Sequence, residues 1–256
     1  MSTKDSGADR DAVGNGVGGD ADGGVGVRAG RDGVTGGCAV GDGVGAGVER
    51  VIPEGGAEHF GAEAWDKLVA FYDLLLAEGE LRGLVGPREM DKLWERHILN
   101  STAIDDFVPE GARLSDVGSG AGFPGLVMAC IRPDLKVTLI ESMQRRTEWL
   151  EYAAEKLGLE NVRVVRSRAE DLKGKHSADV VTCRAVAALK KLVPWTLPLV
   201  KSGGSLVALK GERAGQEIDD ATNELKRYRV KWAEVHQVPV WGADESTHVV
   251  ELRKLG

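Results

Sequence analysis

The sequence has no run approaching the roughly 18 consecutive apolar residues that a membrane span requires, and no apolar leader follows its first residues. A cytoplasmic protein with no membrane contact is the expectation. Cysteine is scarce. Cys38, Cys130 and Cys183 stand far apart and are odd in number, which fits neither a disulfide framework nor a Cys/His metal cluster. Reduced thiols and no structural metal follow. A positive balance is also missing: the net charge of -7 argues against nonspecific coating of nucleic acid, which draws on concentrated Lys and Arg, but leaves room for a local basic face. Aromatic residues are absent from residues 1–55, where about half of the 35 glycines fall among Asp, Val and Ala without any apolar period. Such a segment buries too little surface to offset its ordering entropy, so a disordered extension is expected there.

What is present begins near Ala62. Trp65, Leu68, Val69, Tyr72, Leu75 and Leu76 recur at three- and four-residue spacing, as on one face of an amphipathic helix that Gly79 ends. Pro87 suits the first turn of a second helix carrying Met90, Leu93, Trp94, Ile98 and Ser101 inward. Residues 56–108 thus read as a helical cap, and residues 109–256 as a separate α/β domain. In the latter, seven strands are expected: Arg113–Val117, Lys136–Glu141, Val162–Ser167, Asp179–Cys183, Ser205–Lys210, Val230–Pro239 and His248–Leu252. The helices expected between them are Pro124–Ile131, Arg145–Leu157, Ala188–Leu199 and Gln216–Arg227. Alternation of this kind signals parallel strands with right-handed crossovers. The last two strands are joined only by Trp241–Thr247, which predicts a hairpin at one sheet edge with the final strand antiparallel.

The segment Asp116-Val117-Gly118-Ser119-Gly120-Ala121-Gly122-Phe123-Pro124-Gly125 leaves a strand and opens a helix. Glycine there lets the backbone turn sharply and approach a ligand that a Cβ would displace. Glu141 ends the next strand, 23 residues after Gly118, where an acid can reach the paired hydroxyls of a ribose. Dinucleotide loops share this geometry, so a nicotinamide-dependent oxidoreductase stays open at this point. Asp116 weighs against it, because a carboxylate beside the loop repels a pyrophosphate and suits an ammonium group. Ser167-Arg168-Ala169-Glu170-Asp171 offers a backbone N–H and a carboxylate to an adenine edge. Cys183 and Arg184 end the fourth strand, on the rim where open α/β sheets bind ligands. Arg145, Arg146, Arg166, Arg168, Lys190, Lys191, Lys210 and Arg213 surround that rim with positive charge.

On these motifs, together with Arg96-His97-Ile98-Leu99-Asn100-Ser101, Cys183-Arg184-Ala185 and Ala208-Leu209-Lys210-Gly211, the chain from Trp65 onward resembles the RsmG or GidB family of small-subunit ribosomal RNA guanine-N7 methyltransferases. The resemblance implies a class I S-adenosylmethionine-dependent methyltransferase, Rossmann-like with a seven-stranded sheet. It places Gly118, Phe123, Ala169, Glu170 and Arg184 at cofactor positions and Glu141 on the ribose, and the reading of the glycine-rich loop adds Gly120 and Asp116 to the cofactor set. It implies 16S ribosomal RNA or the small subunit as partner, with no obligate protein partner evident. A module that binds RNA during ribosome assembly without turnover is the non-enzymatic alternative. Asn100 stands where the family often has Asp, and Thr247 where some relatives carry Arg. Guanine N7 already presents an in-plane lone pair, so no general base is needed, and Arg184, Lys210 and His97 are the candidates for positioning the nucleotide. The base must be unstacked or lie in an irregular loop.

Overall fold

A computed structural model describes residues 50–256. The disordered extension expected over residues 1–55, together with Cys38, lies outside the described residues up to residue 49. At the start of the described chain, Arg50 Nε and Nη2 pair with both oxygens of Asp73 at 2.7 and 2.9 Å.

Seven strands follow the expected places closely: β1 (Arg113–Val117), β2 (Lys136–Glu141), β3 (Val162–Arg166), β4 (Ala178–Arg184), β5 (Val200–Lys210), β6 (Val230–Val238) and β7 (Thr247–Lys254). They form one sheet in the order β3-β2-β1-β4-β5-β7-β6. β1 to β5 are mutually parallel, and β7 runs antiparallel between β5 and β6. The expected hairpin is there, but its second strand is the inner one: β7 inserts beside β5 and leaves β6 at the edge. Burial supplies the reason. β7 places Val249 on one face of the sheet and Val250 and Leu252 on the other, all fully buried, whereas β6 alternates partly buried with exposed residues. This is the class I methyltransferase architecture.

The two-residue period of the strands divides the core into two layers. Leu114, Val137, Leu139, Val207 and Leu209 face one layer with α4 (Gly125–Ile131) and α5 (Gln144–Lys156). Val117, Ile140, Val181, Leu206 and Ala208 face the other with α6 (Leu189–Thr196), α7 (Ala214–Asp220) and α8 (Thr222–Arg227). Both faces are covered, as parallel strands require. The helix expected over Ala188–Leu199 is α-helical over Leu189–Thr196, with Pro194 inside it, and closes as a 3-10 turn over Leu197–Leu199, where Pro198 suits the first turn. The one expected over Gln216–Arg227 divides in two at the buried Ala221, where the Thr222 hydroxyl donates to the carbonyl of Asp219 at 2.7 Å.

Before the sheet come α1 (Gly56–Phe60) and α2 (Ala62–Glu78). α2 buries Leu68, Phe71 and Leu75 in the same apolar cluster as Leu126, Met128 and Leu139, so helix and sheet layer share one core. Full burial of each such side chain contributes about 1.5–3 kcal/mol. The second helix of this region departs from the expectation. Pro87–Lys92 is a 3-10 turn and Leu93–Leu99 a π-helix, followed by the short α3 (Asn100–Thr102). The apolar spacing explains it: Leu93 and Trp94, then Ile98 and Leu99, recur at five residues, and all four are buried. A wide turn keeps both pairs on the core, where an α-helix would rotate one away.

Candidate active site

The order of the parallel strands reverses between β1 and β4, and the crevice outside their carboxyl ends is where sheets of this kind bind ligands. The loop after β1 is held against the neighbouring strand by Gly118 N and Ser119 N, which donate to the carbonyl of Ile140 at 2.8 and 3.4 Å. Gly118 has φ +73°, and a Cβ there would lie 2.9 Å from Val186, so the position requires glycine on both counts. Gly125 opens α4 with ordinary φ but no room: a Cβ would stand 2.3 Å from Leu139 and 2.7 Å from Asp116 Oδ2. Trp149 Nε1 of α5 fastens the loop from outside, donating to Ala121 O at 3.0 Å.

A cavity of about 470 Å³ opens over this loop. Gly118, Ser119, Gly120, Ala121 and Phe123 form one wall, Glu141 to Met143 and Arg146 a second, Arg184 to Val186 a third, and Leu84 to Gly86 with Glu89 and His97 bring the helical segment over the top. Glu141 is only 5% exposed. Its Oε1 accepts from Ser142 N and Met143 N at 2.7 and 2.9 Å, and its Oε2 accepts from Gly120 N at 3.2 Å. These amides fix the carboxyl group in place on the cavity wall. Arg146 Nη1 stands 3.8 Å from Glu141 Oε2, while its Nε is buried without a hydrogen-bond partner.

At the far end of the cavity Arg184, His97 and Phe123 form one cluster. The Arg184 guanidinium lies 5.0 Å from the centre of the Phe123 ring, and the His97 ring 5.3 Å from it. Arg184 Nη1 donates to the carbonyl of Arg96 at 2.9 Å, and Nη2 donates to His97 Nδ1. An acceptor at Nδ1 puts the imidazole proton on Nε2, which donates to Glu89 Oε2 at 3.1 Å. Burial, reinforced by the Arg184 charge, lowers the His97 pKa to about 4, so the ring is neutral at physiological pH. Burial also lowers the Arg184 pKa to about 10, which leaves the guanidinium charged.

The structure therefore brings Gly118, Gly120, Phe123, Glu141, Arg184 and His97 to one cavity. Other residues singled out in the sequence lie elsewhere. Asp116 is fully buried beneath the loop: Oδ2 accepts from Gly125 N at 3.0 Å, Oδ1 has no partner, and burial raises its pKa to about 7. Ala169 and Glu170 sit on the turn after β3, outside the cavity lining, with Ser167 N donating to Glu141 O at 3.0 Å beside them. Lys210 lies in a neighbouring cavity. Cys183 is buried and burial pushes its thiol up to about 12, which suits an apolar filler rather than a nucleophile. Among the described residues no group of three or more His, Cys, Asp or Glu is placed to hold a metal ion. Sequence reasoning missed Glu89 and Val186, since a lone acid in a turn and a valine after a strand carry no pattern that separates them from surface and core.

Comparison with known proteins decides the family. Residues 64–248 match the family model described as rRNA small subunit methyltransferase G. The chain belongs to this family. Ribosomal RNA small subunit methyltransferase G of Thermobifida fusca is 48% identical over 205 residues, covering 80% of this chain and 86% of that protein. The Corynebacterium glutamicum (strain ATCC 13032) protein of the same name is 42% identical, covering 79% of this chain and 92% of the relative. A solved methyltransferase from Pyrococcus furiosus is 17% identical with a TM-score of 0.49, covering 60% of this chain and 80% of that one. The stretch matched by the methyltransferase G family contains every wall of the cavity, from Leu84 to Val186, and the loop shared with dinucleotide enzymes no longer supports the oxidoreductase alternative.

Proposed function

We propose that this chain transfers a methyl group from S-adenosylmethionine to N7 of a guanine in 16S ribosomal RNA, acting in the cytoplasm on the small ribosomal subunit without an obligate protein partner. The observation that carries this reading is the glycine-walled cavity with a buried acid at its floor, in a chain of the methyltransferase G family. The cavity fits the cofactor. Its volume of about 470 Å³ suits a small-molecule site, side chains at Gly118 and Gly120 would enter it, and the Glu141 carboxylate is held by backbone amides in reach of hydroxyl donors.

S-adenosylmethionine would supply an electrophilic methyl group. Gly118, Gly120 and Phe123 line its place, Glu141 meets the ribose hydroxyls, and the turn with Ala169 and Glu170 is the adenine side, supported by its bond to the Glu141 carbonyl. Asp116 acts from below by holding Gly125 and so the loop. Arg184, fixed by His97 and the Arg96 carbonyl, keeps one wall of the cavity in register. Guanine N7 needs no base to remove a proton, and a neutral His97 is consistent with a site that positions rather than titrates its substrate. Residues 56–108 serve as the cap over a methyltransferase domain of residues 109–256.

The test is transfer of a labelled methyl group from adenosylmethionine to small-subunit particles from cells lacking this protein, followed by nucleoside analysis. Label in 7-methylguanosine is the expected result. Label in another nucleoside or in protein refutes the assigned target, and no transfer to any substrate leaves a non-catalytic assembly role.

A further inference from the structure

A second cavity of about 400 Å³ adjoins the first and shares Arg184, Ala185 and Val186 with it as a common wall. Its other sides carry Arg96, Asn100, Lys210, Glu217 and Thr247. Resting on the reading above, we infer that this cavity takes the target guanine and that the Lys210–Glu217 pair recognises the base by its Watson–Crick edge.

The chemistry demands recognition from that side. If N7 is the atom that attacks, its lone pair must stay unpaired, so the base cannot be held by its N7 acceptor. The opposite edge offers two donors, N1–H and the N2 amino group, next to the O6 acceptor. Its complement is a carboxylate beside an ammonium. Glu217 and Lys210 are such a pair: Lys210 Nζ donates to Glu217 Oε2 at 2.8 Å and to Ala187 O at 2.6 Å, which leaves one N–H. Glu217 Oε2 also accepts from Leu189 N at 2.9 Å, whereas Oε1 takes no hydrogen bond among the described residues. One donor and one acceptor oxygen, the latter with both lone pairs, thus remain on a rigid pair: the Lys210 N–H meets O6, and Glu217 Oε1 accepts from both N1–H and the N2 amino group.

Charge separates a base from a phosphate here. A phosphate site needs uncompensated cation, and the Lys210 side chain is 8% exposed with its charge matched by Glu217. The pair suits a neutral, polar ligand. The cations on the same cavity that no carboxylate among the described residues holds at hydrogen-bond distance are Arg96, 58% exposed and 3.9 Å from Glu89 at its nearest, and Arg184, which bonds to the Arg96 carbonyl and to His97, so a phosphate is met by these two and the base by the pair. On this reading Lys210, a candidate for positioning the nucleotide, positions it through the base. The pair also adds to a choice against adenine, whose N7 carries the same kind of in-plane lone pair but whose N1 acceptor would face the Glu217 carboxylate.

The experiment compares small-subunit particles reconstituted with guanosine or inosine at the methylated position, using the parent chain and Glu217→Gln. Inosine keeps N7 but lacks the N2 amino group. With the parent, kcat/KM is expected to fall roughly 10-fold to 100-fold on inosine, because one of the two N–H groups that meet the charged Glu217 Oε1 is gone. Glu217→Gln is expected to lose a similar factor on guanosine and to lose little more on inosine, with adenosylmethionine affinity by calorimetry unchanged. Losses that multiply, or full activity of Glu217→Gln on guanosine, overturn the proposal. If Glu217→Gln does not fold, an inosine particle methylated by the parent at the guanosine rate overturns it alone. A parent chain inactive on guanosine particles refutes the proposed function itself.

Discussion

His97 and Asp116 show how burial decides the chemistry of single residues, and they do so with opposite signs. Burial lowers the His97 pKa from 6.5 to about 4, so between those values the unfolded chain binds a proton that the folded one does not. Stability from this residue is therefore complete above pH 6.5 and is lost as pH falls toward 4, by no more than roughly 3 kcal/mol. Burial raises Asp116 from 3.8 to about 7, so in that window the folded chain holds the extra proton and stability falls as pH rises. The two trends oppose each other over much of the same range. Asp116→Asn removes one of them, and its thermal midpoint is expected to climb more steeply from pH 4.5 to 6.5 than the parent's; parallel curves would show that Asp116 does not titrate there. A second expectation concerns the Arg184 charge. In Arg184→Ala the His97 ring loses a cation at Nδ1, so its NMR titration midpoint should rise above that of the parent while staying below 6.5, because burial is the larger cause.

At the scale of elements, the loop between β1 and α4 depends on close approach more than on hydrogen bonds. Gly125→Ala would drive a Cβ into Leu139 and the Asp116 carboxylate, and destabilisation of about 1–3 kcal/mol in chemical denaturation is expected. The neighbouring Trp149→Phe removes the indole bond to Ala121 O, worth about 1 kcal/mol, and, because Trp149 is fully buried, also leaves a cavity in the packing of α5. Its predicted signature is a lowered thermal midpoint together with weaker adenosylmethionine binding; a lowered midpoint with unchanged affinity would show that the bond to Ala121 O does not hold the loop in its binding form. The π-helix over Leu93–Leu99 has a matching logic. Its wide turn buries two apolar pairs and presents the carbonyls of Arg96 and His97 to Arg184, so the element that seals the core also anchors the cavity wall.

For the molecule as a whole, the cavity joins elements distant in sequence: the segment before the sheet, the loops after β1 and β2, and the rim of β4. A ligand that binds there should tie them together and raise the stability of the folded state by about 2.7 kcal/mol at a hundredfold excess over Kd. Adenosylmethionine is accordingly expected to raise the thermal midpoint of the parent, and Glu141→Gln to remove most of that rise, since its amide replaces one acceptor oxygen with a donor. Equal shifts in the two proteins would remove Glu141 from the proposed ribose site.

Much of this was open to sequence reasoning. The seven strands and most of the helices of the sheet layers follow from apolar period and from glycine and proline, which act locally through backbone geometry and so leave a local record. The glycine loop and Glu141 are legible for the same reason: they lie at a fixed distance along adjacent, paired strands. Family membership, too, rests on residues read in order along the chain. What tertiary structure alone decided is whatever depends on neighbours far apart in sequence. The insertion of β7 between β5 and β6 is a competition for burial between strands of similar apolar content. The wide turn at Leu93 follows from a core assembled by other elements. The charge states of Asp116 and His97, the contact between Arg184 and His97 across 87 positions, and the pairing of Lys210 with Glu217 at a second cavity are electrostatic consequences of burial, which exists only once the chain has closed on itself.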